Sequence, residues 1–130
     1  MAEVQARLQS LSEDYTKLQQ ELQAAVQSRQ KLEAQKQENS GVKKEFERLK
    51  DGENIYKLVG PVLLKQDKVE AESTVNGRLE FISKELGRTE GQIKEIQEKI
   101  ERKKGEIIQI QAGLQAAGGA QGPAAAAAKG

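Results

Sequence analysis

Acid–base or nucleophilic chemistry in this sequence would have to rest on carboxylates, amines and two tyrosines, because its 130 residues include no His and no Cys. The commonest general base, the thiolate nucleophile and the soft metal ligands are therefore all missing. Carboxylates are plentiful, 20 Asp and Glu against 21 Lys and Arg, but a catalytic carboxylate needs a pocket that shifts its pKa. Here acids and bases interleave along polar helical faces, where solvation and inter-helix pairing account for them. Lys43-Lys44 and Arg102-Lys103-Lys104 could contact phosphate, yet Glu45, Glu101 and Glu106 flank them, so both clusters read as solvated faces. Neither a Gly-x-x-x-x-Gly-Lys-Ser/Thr nor a Gly-x-Gly-x-x-Gly loop occurs. The sequence predicts no enzyme, no cofactor and no metal.

The elements that would have to position any site are few. Aromatics make up 3% of the residues and charged residues 32%. A chain of that composition either stays disordered or buries a narrow seam, as coiled coils do. A formal net charge of +1 with interleaved signs counts against nucleic acid and anionic membranes as partners. No apolar run approaches the roughly 18 residues of a membrane span, and no signal-peptide pattern opens the chain. Absence of Cys fits a reducing compartment, so the expected location is cytoplasmic.

One stretch departs from the helical pattern. Ile55 to Val59 and Val62 to Lys65 are short runs rich in β-formers, separated by Gly60-Pro61. Gly offers free backbone angles and Pro fixes φ, which together signal a turn, so 53–66 reads as a β-hairpin. A lone hairpin is marginal in water, and apolar residues stand on both of its faces: Ile55 and Val59 on one, Tyr56 and Leu58 on the other. With no other strand-like segment in the chain, the missing covers must come from other chains. The hairpin predicts an oligomer built by sheet pairing.

On either side run two long heptad segments, helix 2–50 and helix 67–117. In the first, Val4, Leu8, Leu11, Tyr15, Leu18, Leu22, Ala25, Leu32 and Phe46 recur in steps of four and three or their multiples. Arg29, Lys36 and Lys43 weaken its second half, where Val42 and Leu49 carry the stripe one position off. Gly52 is the expected cap. In the second, Asp67 and Glu70 have capping-box spacing, and Leu79, Leu86, Ile93, Ile100, Ile107 and Leu114 occupy successive a sites. Gly77, Gly91 and Gly105 share the outward f position. Joined by a tight hairpin, the arms should run antiparallel, each about 70 Å long. A register with Val4 opposite Leu114 and Leu22 opposite Ile96 sets Arg29 against Thr89, and Tyr15 against Lys103, as polar layers that pin the alignment. The fold class is mainly α: a long antiparallel two-helix coiled-coil hairpin with one β-hairpin at the bend, spanning 1–117. A flexible Gly/Ala tail follows over 118–130. At the free ends of the arms, Val4, Leu8, Leu11, Ile107, Ile110 and Leu114 form a fraying apolar seam able to meet other proteins' apolar segments.

With arm, hairpin and arm in place, the chain resembles the β-class subunits of prefoldin. The resemblance rests on Arg29-Gln30-Lys31-Leu32-Glu33-Ala34-Gln35 with Glu38-Asn39, on Tyr56 through Gln66 with its Gly-Pro turn, and on Arg78-Leu79-Glu80-Phe81-Ile82. It implies a hetero-hexamer of two α-class and four β-class subunits, whose hairpins join a β-barrel platform carrying six coiled-coil tentacles. It further implies an ATP-independent co-chaperone that holds unfolded or nascent polypeptides, typically actin and tubulin, and passes them to the cytosolic chaperonin. Carried over by position, Ile55, Tyr56, Leu58, Val62 and Leu64 would build the platform, and Val4, Leu8, Leu11, Ile107, Ile110 and Leu114 would meet the client. The competing reading is a structural coiled-coil scaffold or tether that binds nothing unfolded. A nucleic-acid arm is a third, disfavoured by the neutral charge.

Overall fold

Two helices and a two-stranded sheet make up the chain in a computed structural model that describes residues 1–50 and 53–121. Helix α1 spans Ala2–Arg48, strand β1 Ile55–Val59, strand β2 Val62–Gln66, and helix α2 Lys68–Gln121. This is the mainly helical class expected, with the small antiparallel hairpin set between the long helices.

Both helices form because apolar residues return every three or four positions among strong helix formers. The inward residues of α2 follow the predicted heptad without a slip. Val75, Ile82, Leu86 and Thr89 are buried, and Leu79, Ile93, Ile96, Ile100, Lys103, Ile107, Ile110 and Leu114 half-buried. In α1 the same holds from Val4 to Ala25, and again at Leu32, Asn39 and Phe46. The basic a sites Arg29, Lys36 and Lys43 are exposed, and off-register Val42 is exposed with them, while Leu49 is half-buried. Asn39 sits in the seam without a stranded polar group, since its amide donates to the Gln35 carbonyl at 2.8 Å.

The ends differ slightly from expectation. Helix α1 closes at Arg48, after which Leu49 N–H donates to the Phe46 carbonyl at 3.2 Å, the tighter spacing common at helix ends. The Gly52 cap lies outside the described residues. At the start of α2, Ala71 N–H donates to the Asp67 carbonyl at 2.9 Å, which places Asp67 at the N-cap. The helix continues to Gln121, past Ala117 and into the Gly/Ala segment, because extending an existing helix requires no new nucleus. The remainder of the expected tail, 122–130, lies outside the described residues.

The chain divides into two compact units: one holds Met1–Ala25 with Gln92 onward, the other Val26–Gly91 including the hairpin. In the first, Lys103 Nζ lies 3.6 Å from Asp14 Oδ2. In the second, Arg29 Nε lies 3.5 Å from Glu90 Oε1. Each contact falls one residue from the predicted pairing, so the ion pairs flank the two polar layers. Lys103 meets the carboxylate beside Tyr15, and Arg29 leaves buried Thr89 for the neighbouring Glu90. The reason is desolvation: a charged head buried against a hydroxyl costs more than one swung to the rim beside a carboxylate. Such half-exposed pairs contribute about 0–1 kcal/mol, so their effect is on alignment more than on stability.

The turn is tight. Val59 pairs with Val62, leaving Gly60-Pro61 as a two-residue loop with Gly60 at φ +58°. A positive φ followed by proline's negative one is the type II′ pattern, whose twist suits a hairpin. A side chain at Gly60 would meet nothing within 4 Å, so only backbone strain opposes one. Gly60→Ala is expected to cost about 1–2 kcal/mol, read as roughly 5- to 30-fold faster amide exchange across the ladder in the isolated chain; unchanged exchange would rule out this turn. On the helices the sign reverses: the outward Gly105 also has open space around it, so Gly105→Ala should gain about 1 kcal/mol, measured as a higher thermal midpoint.

Candidate functional site

The hairpin register dictates what each face of the sheet presents. Tyr56 stands opposite Lys65 and Leu58 opposite Leu63, while Lys57 opposes Leu64 and Val59 opposes Val62. Because successive side chains alternate, Tyr56, Leu58 and Leu63 share one face. Val59, Val62 and Leu64 share the other with Ile55. Neither is covered within the chain: Tyr56 is 55% exposed, Leu58 68% and Leu63 63%, and Val59, Val62 and Leu64 are exposed on the opposite side. Only Ile55 and Gln66, at the base, are half-buried. The sheet has two strands, so among the described residues each strand keeps one edge of unpaired backbone groups.

Beneath β1 lies a hollow of about 330 Å³ between strand and helices, lined by residues that include Val42, Phe46, Ile55, Tyr56, Val75 and Arg78. Chemically, this arrangement can do one thing. It can extend a sheet and bury apolar side chains, each contributing about 1.5–3 kcal/mol when fully covered. Ile55, Tyr56, Leu58, Val62 and Leu64, picked out from the sequence, all lie on this element. Val59 and Leu63 belong with them; the two-residue turn, which pairs Leu63 directly with Leu58, was the signal that could have added both.

The second candidate set behaves differently. Val4, Leu8, Ile107, Ile110 and Leu114 are half-buried within the first unit, but Leu11 is only 5% exposed. Leu11 is therefore a packing residue in the closed coil, reachable only where the seam opens. Ile108, by contrast, is 54% exposed. It lies one position off the heptad, and the Ile107-Ile108 doublet was the sequence signal that heptad bookkeeping passed over. Near these residues, an open groove of about 400 Å³ is walled by charged groups including Asp14, Lys17, Glu21, Lys99 and Arg102.

No cluster of three potential metal-ligating side chains occurs among the described residues. The Arg88 guanidinium is held above its usual pKa by its hydrogen bond to Glu85 and by that carboxylate's charge, with a 2.7 Å contact one turn apart on a solvated face. That keeps the arginine charged and makes no acid or base available. Among the described residues, no helix is long and apolar enough to cross a membrane.

Replacing Leu11 with Ala should cost about 2–5 kcal/mol, seen by circular dichroism as a lower melting temperature, whereas Ile108→Ala should stay within about 0.5 kcal/mol. Equal melting temperatures for the two variants would contradict the packing described.

Comparison with known proteins bears on the whole of this arrangement. The sequence profile of the family described as prefoldin subunit matches residues 9–113. Prefoldin subunit 6 of Mus musculus is 48% identical over 96 residues, covering 72% of this chain and 75% of that protein. The Saccharomyces cerevisiae prefoldin subunit 6 is 44% identical over 87 residues, 67% of this chain and 76% of its own. Among solved structures, the prefoldin beta subunit from Thermococcus strain KS-1 superposes with a TM-score of 0.73 at 30% identity, covering 83% of this chain and 92% of that one. The beta2 subunit from the same strain gives 0.62 at 25% identity, over 70% and 97%.

Proposed function

The chain belongs to the prefoldin subunit family, and from that membership we propose that it is a β-class subunit that assembles through its hairpin and grips unfolded polypeptides through its helix ends. Prefoldin subunits are non-enzymatic chaperone components that oligomerise with one another. The observation that carries the finer reading is the uncovered hairpin, apolar on both faces and unpaired along both edges. A soluble chain normally blunts such edges. Here Ile55, Tyr56, Leu58, Val62 and Leu64, with Val59 and Leu63, would be covered by the hairpins of two α-class and further β-class subunits in a hetero-hexamer.

The helix ends then do the holding. Val4, Leu8, Ile107, Ile110 and Leu114 offer a narrow apolar seam of weak, sequence-tolerant affinity, with Leu11 available only on local opening and Ile108 already outside. Several tethered ends gain by effective concentration, so a client with many exposed apolar segments is retained. A folded client presents none and leaves. Release needs no chemical step, which suits an ATP-independent cycle in the cytoplasm, where actin, tubulin and similar nascent chains would pass to the chaperonin.

Two experiments test this reading. Tyr56→Asp or Leu64→Asp, co-expressed with the partner subunits, should sediment as unassembled chain; a full-size complex would refute assembly through the hairpin. Removing residues 1–11 together with 107–130 should leave assembly intact but abolish suppression of client aggregation. Full suppression by the trimmed complex would instead favour a structural tether, with holding done elsewhere.

A further inference from the structure

Apart from the hairpin, the second unit exposes one large aromatic side chain that the assembly reading leaves unused. Phe81 is 62% exposed on α2. One turn before it, Gly77 leaves open space where a side chain would stand. Both line a shallow groove of about 390 Å³ whose other wall is formed by Gln35 and Asn39 of α1. Arg78 stands between this groove and the hollow beneath β1, lining both. It forms no ion pair with any of the described residues, whereas nearby Lys84 and Arg88 each pair with a glutamate of their own helix.

We propose that Arg78 and Phe81 form a second docking element for a neighbouring subunit of the same complex, one that presents an acidic side chain to Arg78 and an apolar one to the notch over Gly77. The proposal rests on assembly through the hairpin and extends that surface onto the coil. Continuity identifies the occupant: the hollow that Arg78 lines is also walled by Ile55, Tyr56 and Leu58, so a strand laid against β1 brings its own helix beside this groove. Chemistry agrees. Arg and aromatic residues are the side chains most enriched where interfaces concentrate their energy, and a planar guanidinium engages a carboxylate through paired hydrogen bonds. A single exposed Phe is ordinary by itself; what points to a partner is its place in one groove with Arg78, which joins that groove to the hollow beneath β1. The hairpin sets which chains associate, and the coil contact fixes the angle at which each helix pair leaves the sheet.

The test uses the full complex, reconstituted with Arg78→Glu, Phe81→Ser or Leu58→Asp, and follows its dissociation on dilution by native mass spectrometry. Both coil positions are exposed, so helical circular dichroism of the variants should match the unaltered chain. The expected result is loss of the complex with Leu58→Asp, and about tenfold weaker assembly with Arg78→Glu and with Phe81→Ser, the former alone losing its dependence on salt. Loss with Leu58→Asp but unaltered assembly for both coil variants overturns the inference while leaving hairpin assembly standing. Intact complexes with Leu58→Asp overturn hairpin assembly and this extension together. Coil variants that assemble normally but no longer suppress client aggregation would make the groove a client surface, which also overturns it.

Discussion

Ten strand residues carry more apolar surface than the rest of their chain can cover, and that imbalance governs the whole molecule. A two-stranded sheet buries nothing between layers, because it has no second layer. In most folds a helix would close over one face. Here the helices are committed to each other: their apolar stripes are one seam wide, and within each unit they spend that seam on the opposing helix. Among the described residues, Leu58, Leu63 and Leu64 stay exposed. Membership of an oligomerising family agrees with the proposal that the hairpin finds its cover in other chains.

The same economy explains the helices. A seam of alternating a and d residues buries little area per residue, so no single layer is decisive and stability accumulates along the length. Outward glycines and half-exposed charges at Lys103 and Arg29 are tolerated because neither removes a packed apolar contact. What the charges add is discrimination. A shift of one heptad would replace Glu90 beside Arg29 with Gln97 or Ser83, while Lys103 would meet Glu21 in the first direction and Arg7 in the second. Cheap surface pairs thus select one alignment among several that the apolar residues alone would accept.

Under the proposed function, association and holding call for opposite physical characters, and different parts of the chain would supply them. The hairpin surface is broad, two-sided and ordered by a ladder of backbone hydrogen bonds, which suits permanent contacts. The seam near Val4 and Leu114 is narrow and half-covered, which would suit the transient contacts of the proposed holding role. Leu11 stands apart in that region: at 5% exposure it is a packing residue of the first unit.

Heptad spacing alone determined both helices, and Gly60-Pro61 between β-forming runs determined the hairpin, because these signals are local: a period of three and four can satisfy only a helix, and Gly-Pro can close only a turn. The two-sided apolar character of the strands followed from the same residues. Tertiary structure decided what depends on neighbours far off in sequence. It gave Lys103 the carboxylate of Asp14 and Arg29 that of Glu90, since long side chains choose among several partners by solvation. It buried Leu11 while leaving equally apolar Ile108 and Phe81 in water, because exposure is set by which side of a helix meets another, and it set Arg78 between two hollows that no linear pattern could reveal.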